Sequence, residues 1–110
     1  MMTSKVKVDM TLCSHETTIE SKDIGDGTVE LKFESDCDDV KHYAKLLRSA
    51  APEEYSKIKG SKIIELAEEA GMTPTCLVPV AVFNACWLET GMISKNLAKQ
   101  MESLCIRFIE

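Results

Sequence analysis

Five cysteines are the residues of this chain best suited to chemistry. An odd number excludes complete pairing into disulfides, and five is too few for a disulfide-rich secreted scaffold. In a reducing compartment, cysteines act as packing residues, metal ligands or reactive thiols. No C-x-x-C pair is present, so any shared site must be assembled by the fold. The cysteines are Cys13, Cys37, Cys76, Cys86 and Cys105.

Three of these cysteines are predicted to lie at the boundaries of secondary-structure elements. Cys13 follows the first predicted strand and precedes His15 by two residues, while Cys37 and Cys76 stand where helices are predicted to begin. The positive end of a helix dipole favours the thiolate, which is the form that attacks electrophiles and binds metals. Aspartates flank Cys37 and oppose this effect, whereas no acidic residue is near Cys76 in sequence. We therefore predict that Cys76 has the lowest thiol pKa of the five.

The other two cysteines are predicted to pack. Cys86 lies on a helix that is apolar on all sides, and Cys105 stands between Leu104 and Ile106 in a predicted strand. Free cysteine is among the most buried residue types and often behaves as a small hydrophobic residue. We therefore expect neither thiol to take part in a site.

Hydrophobic periodicity predicts the elements that position the cysteines. Alternation of apolar and polar residues predicts a strand at each end of the chain, and helical spacing predicts the segments between them. Asp26-Gly27 is a turn signal within a hairpin, and Ser35 followed by Asp38 resembles a capping box at a helix start. The predicted strands are 5–12, 16–21, 28–34 and 103–110, and the predicted helices are 35–51, 52–59, 61–70, 76–90 and 94–101.

This order of elements predicts an α+β fold in one domain, residues 1–110. A run of strands followed by a run of helices favours an antiparallel sheet with helices on one face. The sheet would combine a three-stranded N-terminal meander with a C-terminal strand, and three to five helices would cover it. A chain of 110 residues, of which 45% are hydrophobic, is long enough to bury a core without a disulfide.

Charge and composition exclude several classes of function. A formal net charge of −5 disfavours sequence-independent binding to nucleic acid, which needs a positive field. The chain has no apolar run of about 18 residues and no signal-like N-terminal stretch, so we expect no membrane partner and a cytoplasmic location. The motifs G-x-S-x-G, H-E-x-x-H and G-x-x-x-x-G-K are absent. The sequence therefore favours a binding protein, but it does not exclude an enzyme.

The cysteine segments resemble those of an uncharacterised family of small proteins from methanogens and other anaerobes. Its pattern has a cysteine after the first strand, Ser-Asp-Cys opening the first helix, and Cys-Pro-Val-Pro opening a later helix that ends near Glu and Gly. The matching positions here are Cys13, Ser35-Asp36-Cys37, Cys76-Leu77-Val78-Pro79, and Glu89 with Gly91, where Leu77 replaces the first proline. This resemblance implies no known activity. Cys76 and Pro79 are also similar to the Cys-Pro-x-Pro motif of TusA-like sulfur carriers, whose cysteine carries a persulfide.

Three functions fit these observations. The leading hypothesis is a metal-binding protein in which Cys13, Cys37 and Cys76 converge at one end of the sheet and hold zinc or an iron–sulfur cluster. The fourth ligand would be His15, water or a residue of a protein partner. The first alternative is metal-free thiol or persulfide chemistry at Cys76, with Cys13 or Cys37 as resolving thiol. The second is an interaction module whose cysteines only pack, and the oligomeric state stays open in all three.

Overall fold

A four-stranded antiparallel sheet forms one layer of the computed structural model, which describes residues 3–110. The first two residues of the predicted domain lie outside this range. The three-stranded N-terminal meander is confirmed, and its turn falls at Asp26 and Gly27, which have φ values of 54° and 79°. The strands lie in the order β1-β2-β3-β4 and span Ser4–Met10 (β1), His15–Gly25 (β2), Thr28–Ser35 (β3) and Ser49–Ala50 (β4).

One face of the sheet is covered and the other carries charge. Val6 pairs with Ile19, which in turn pairs with Phe33, so these apolar side chains share a face. Lysine and glutamate alternate with them on the opposite face, where Lys7 Nζ lies 3.3 Å from Glu16 Oε1. The alternation read from the sequence therefore separates core from solvent.

Five helices complete the fold, and the α+β class with helices on one face of the sheet is confirmed. α4 packs against β1 and β2, and α1 packs against β3. The core between the layers contains Ile19, Val29, Tyr43, Ile63 and Val82, each of which is fully buried. The helices span Asp38–Leu46 (α1), Pro52–Tyr55 (α2), Lys62–Glu69 (α3), Val78–Glu89 (α4) and Lys95–Met101 (α5).

The fourth strand is not where the sequence predicts it. α1 ends at Leu46 instead of continuing to residue 51, and the chain then returns to the sheet, where Ala50 of β4 pairs with Val29 of β3. The predicted closing strand at 103–110 is wrong, because that segment forms no helix or strand and each of its residues is exposed. Alternation is a local pattern, whereas a strand also needs a partner strand beside it.

Candidate thiol site

Three cysteine-bearing segments lie at one end of the sheet. At this end β1 finishes, β2 begins and β3 finishes, because Met10 pairs with His15 and Thr17 pairs with Ser35. α4 also begins here, since the Leu77 amide donates a hydrogen bond of 3.4 Å to Met10 Sδ. The loop at Gly71 lies beside α1, because a Cβ atom added to Gly71 would be 3.7 Å from Asp39 Oδ1. We call this region the cysteine end; it comprises residues 10–16, 35–39 and 71–77.

The segment Ser35-Asp36-Cys37 connects β3 to α1, and each of its residues has a different structural role. The Ser35 hydroxyl accepts hydrogen bonds from Thr17 Oγ1 at 2.8 Å and from the Cys37 amide at 3.1 Å, which holds the β3–α1 junction. The predicted capping box is therefore wrong: Cys37 is the N-cap of α1, and no side chain caps the helix there. Its carbonyl accepts the first helical hydrogen bond, from Lys41 at 2.9 Å. The Cys37 thiol is half-buried against the core.

Cys13 and Cys76 reach the same region from turns. Cys13 is exposed in the β1–β2 turn, where its amide donates to the Met10 carbonyl at 3.3 Å. The Cys76 amide donates a hydrogen bond of 3.1 Å to the Thr73 carbonyl, which closes a turn. The Cys76 side chain is half-buried. The predicted helix start at residue 76 is wrong by two residues, since α4 begins at Val78. Both thiols therefore lie on irregular backbone next to rigid elements.

The electrostatics of Cys76 contradict the sequence-based expectation of a lowered pKa. Burial raises the pKa of the Cys76 thiol above its ordinary value of 9.0, and the Val78 amide opposes this shift. Negative charge at Cys13, Cys37 and Asp39 makes smaller contributions that raise the pKa of the Cys76 thiol further. Burial and neighbouring thiols were invisible in the linear sequence, where Cys76 has no acidic neighbour. The thiol is protonated at neutral pH in the metal-free protein.

His15 is oriented by a carboxylate, an arrangement that the sequence analysis missed. His15 Nδ1 lies 3.1 Å from Asp36 Oδ1, which also accepts the Glu16 amide at 3.3 Å. Desolvation raises the pKa of Asp36, but the hydrogen bonds from His15 and from the Glu16 amide outweigh it and leave the pKa below 3.8. A carboxylate on Nδ1 leaves Nε2 as the lone-pair nitrogen of a neutral imidazole, which is the form that binds metals. The register of two strands creates this pair, so spacing gave no signal for it.

The donor atoms of the cysteine end do not form a ligand shell within the described residues. Among residues 3–110, no three His, Cys, Asp or Glu side chains stand close enough together to hold one metal ion. The available donors are thiols and an imidazole, which suit zinc and iron–sulfur clusters better than magnesium or calcium. A shared site would therefore require these side chains to come closer together.

The remaining two cysteines lie elsewhere. Cys86 is fully buried on α4, as predicted, and burial raises the pKa of its thiol to about 12. Cys105 was predicted to pack within a strand, but it is exposed in the irregular segment after α5. Neither thiol belongs to the cysteine end.

The opposite end of the sheet uses its polar residues for structure. The Glu89 side chain, at the end of α4, is only 6% exposed. Its carboxylate accepts hydrogen bonds from Ser4 Oγ at 2.8 Å and from the Asp23 amide at 2.9 Å, and Lys95 Nζ lies 3.8 Å away. These contacts join α4 to β1 and β2. They assign a structural role to the glutamate near the end of this helix, which the sequence pattern had left without one.

An apolar groove is present on the helical side of the molecule. It lies between α2, α3 and α4, has a volume of about 580 Å³, and is lined mainly by Ile58, Ile64, Val80, Phe83 and Trp87. Trp87 Nε1 is already engaged, since it donates to the Tyr55 carbonyl at 2.7 Å. We call this surface the Trp87 groove; none of the three cysteines of the cysteine end lines it.

A family model covers most of the fold. Residues 4–101 match a family of unknown function, DUF6951. The chain belongs to this family. The match includes β1 to α5 and all three cysteines of the cysteine end. No curated protein and no solved structure matches the chain. Within residues 3–110, none of the helices has both the length and the apolar composition needed to cross a membrane.

Proposed function

We propose that this protein binds one zinc ion or one iron–sulfur cluster through Cys13, Cys37 and Cys76. The observation that supports the proposal is that three cysteine-bearing segments meet at one end of the sheet, where Met10 pairs with His15, Thr17 pairs with Ser35, and the Leu77 amide donates to Met10 Sδ. Thiolates crowded together repel one another, and a bound cation removes that penalty. Three such donors are the core of a zinc or iron–sulfur ligand set.

His15 supplies the fourth ligand in this proposal, through Nε2. Metal-binding histidines commonly donate their other ring N–H to a carboxylate, which fixes the tautomer and the ring orientation. Asp36 is placed to accept that hydrogen bond at 3.1 Å. Asp36 would then orient the ligand without touching the metal.

The alternative is persulfide or thiol chemistry at Cys76 without a metal. The Cys76–Pro79 similarity to sulfur carriers motivates it. A nucleophilic cysteine normally has a lowered pKa, whereas burial raises the pKa of Cys76, and Cys76 precedes α4 instead of lying within its first turn. These two observations favour the metal proposal. Both functions need a reducing compartment, in keeping with the predicted cytoplasmic location.

The deciding experiment is metal analysis of protein purified without oxygen. We expect one equivalent of zinc, or stoichiometric iron with visible absorption from a cluster. Adding zinc to the metal-free protein at neutral pH should release about one proton per coordinating thiol, because each thiol must ionise to bind. Serine at Cys13, Cys37 or Cys76 should abolish metal retention.

Cys105→Ser is the matched control, since Cys105 is a free thiol that lies outside the cysteine end. It should retain the full metal content. Asp36→Asn should weaken zinc binding by about 10–100-fold, the usual effect of removing the partner that orients a ligand, and His15→Ala, which removes the ligand itself, should weaken binding more. Metal-free protein that fails to bind added zinc or cluster, and that carries one rapidly alkylated Cys76, would support the thiol alternative instead.

A further inference from the structure

Residues 103–110 combine a strand-like sequence with the absence of strand structure. In an extended conformation Leu104, Ile106 and Phe108 would share one face, yet they are 79%, 66% and 75% exposed. Ile109, on the other face, is 88% exposed. Burying one such side chain is worth about 1.5–3 kcal/mol, so the segment carries a substantial unused tendency to associate. Local pattern and single-chain structure conflict here, which indicates a partner outside the single chain.

The sheet offers one matching surface, the outer edge of β1. β1 is the terminal strand of the sheet, with β2 on one side and, among residues 3–110, no strand on the other. Val6 and Met10 point to the helix-covered face but are only half-buried. The seven residues of β1 span about 23 Å, close to the 26 Å or so that eight extended residues of 103–110 would span. The other edge strand, β4, has two residues and is too short to serve.

We propose that residues 103–110 of one copy add as a fifth strand to the β1 edge of a second copy, and that the exchange is reciprocal. Leu104, Ile106 and Phe108 then extend the helix-covered face beside Val6 and Met10. Reciprocal exchange gives a closed two-fold dimer and removes both open edges, which are otherwise prone to unspecific pairing.

The path of the chain favours this arrangement. α5 starts close to the first residue of β1, since Lys95 Nζ is 3.8 Å from Glu89 and Glu89 is bonded to Ser4. Residues 103–110 therefore leave the molecule within one short helix of the β1 edge. In the single chain they do not pair with this edge and remain exposed, so they are available to the edge of a second copy.

Sedimentation equilibrium tests the oligomeric state. The full chain should be a dimer, and a chain ending at Glu102, which keeps every residue matched by the family model, should be a folded monomer. Ile106→Asp should weaken the dimer at least about tenfold. Ile109→Asp, the same change on the other face of the segment, is the matched control and should have a smaller effect. A monomeric full chain, or a truncated chain that still dimerises, would overturn the proposal.

Disulfide trapping tests which surface is used. Cys105 shares the outer face with Lys5 and Lys7 once Leu104 and Ile106 face the helices. Lys5→Cys or Lys7→Cys should therefore form a covalent dimer with oxidised glutathione as oxidant, and adding Cys105→Ser should prevent it. Lys57→Cys, at the Trp87 groove, is the comparison position and should not cross-link. Cross-linking from residue 57 alone, or within one chain, would show that the segment docks elsewhere and that the proposal is wrong.

Discussion

The two ends of the sheet carry similar chemical groups but use them differently. At the Glu89 end, a nearly buried carboxylate accepts hydrogen bonds from Ser4 and the Asp23 amide, so its acceptor capacity serves the fold. At the cysteine end, exposed or half-buried thiols stand near an imidazole that one carboxylate orients. A polar group whose partners all belong to its own chain stabilises structure. A group with unused donor capacity at the surface is available for a ligand.

The largest expected change in unfolding free energy comes from ionisation of Cys86 at alkaline pH. Cys86 lies one helical turn before Glu89. The unfolded thiol ionises near 9.0 and the folded thiol near 12. The unfolded chain therefore holds fewer protons in this window, and the free energy of unfolding falls as pH rises from 9.0 to about 12, by up to roughly 4 kcal/mol. Denaturant unfolding across this range should show a shallower decline for Cys86→Ala. Equal slopes in the two proteins would contradict the assigned burial.

Glu89→Ala should cost about 3 kcal/mol of unfolding free energy, because it leaves two part-buried donors, Ser4 Oγ and the Asp23 amide, without an acceptor. Glu69→Ala, at the exposed end of α3, is the matched control and should change stability by less than about 0.5 kcal/mol. Denaturant melts of the two variants, together with zinc titration, provide the measurement. If Glu89→Ala stayed folded but lost metal binding, the division between the two ends would fail.

Tyr55→Phe should destabilise the protein by about 1–2 kcal/mol. The Tyr55 hydroxyl donates to the Gly27 carbonyl at 2.7 Å, which ties the β2–β3 turn to α2. A Cβ atom on Gly27 would lie 3.2 Å from this hydroxyl, a tight contact, and the φ of 79° at this position also favours glycine. Thermal unfolding measures the loss, and zinc affinity should remain unchanged. A reduced zinc affinity would mean that the two ends are coupled.

Cys13→Ser should have the smallest effect on the metal-free protein, less than about 0.5 kcal/mol, because this side chain is exposed. With zinc present, the difference in unfolding free energy between the parent protein and Cys13→Ser should instead be large. At a zinc concentration of about 100 times Kd, the parent protein gains about 2.7 kcal/mol and the variant gains much less. Unfolding with and without zinc checks both statements. A large loss in the metal-free variant would assign Cys13 to structure.

Predictions from the sequence succeeded where a pattern is local. Alternation located β1 and β3 and the face that each buries, β-rich composition located β2, and helical spacing located α3 and α4. The errors lie where a distant segment decides. Ser35 had the spacing of a capping residue, but Thr17 and the Cys37 amide occupy its hydroxyl.

The site residues named from the sequence, Cys13, Cys37 and Cys76, remain a prediction. The strand register brings the segments of Cys13 and Cys37 to one end of the sheet, and the hydrogen bond from the Leu77 amide to Met10 Sδ brings the Cys76 turn there. The sequence did not reveal the His15–Asp36 pair, because 21 residues separate the two in the chain and only the β2–β3 register joins them. The sign of the Cys76 pKa shift was also wrong, since burial outweighs the helix dipole.

The sequence by itself therefore determined the α+β class, the N-terminal meander, the apolar central helix and the burial of Cys86. Each depends on the periodicity or composition of neighbouring residues. Only the tertiary structure decided that Ser49–Ala50 is the fourth strand, that Glu89 joins α4 to the sheet, and which thiols share an end. Proximity and desolvation depend on segments distant in the chain, and no local pattern encodes them.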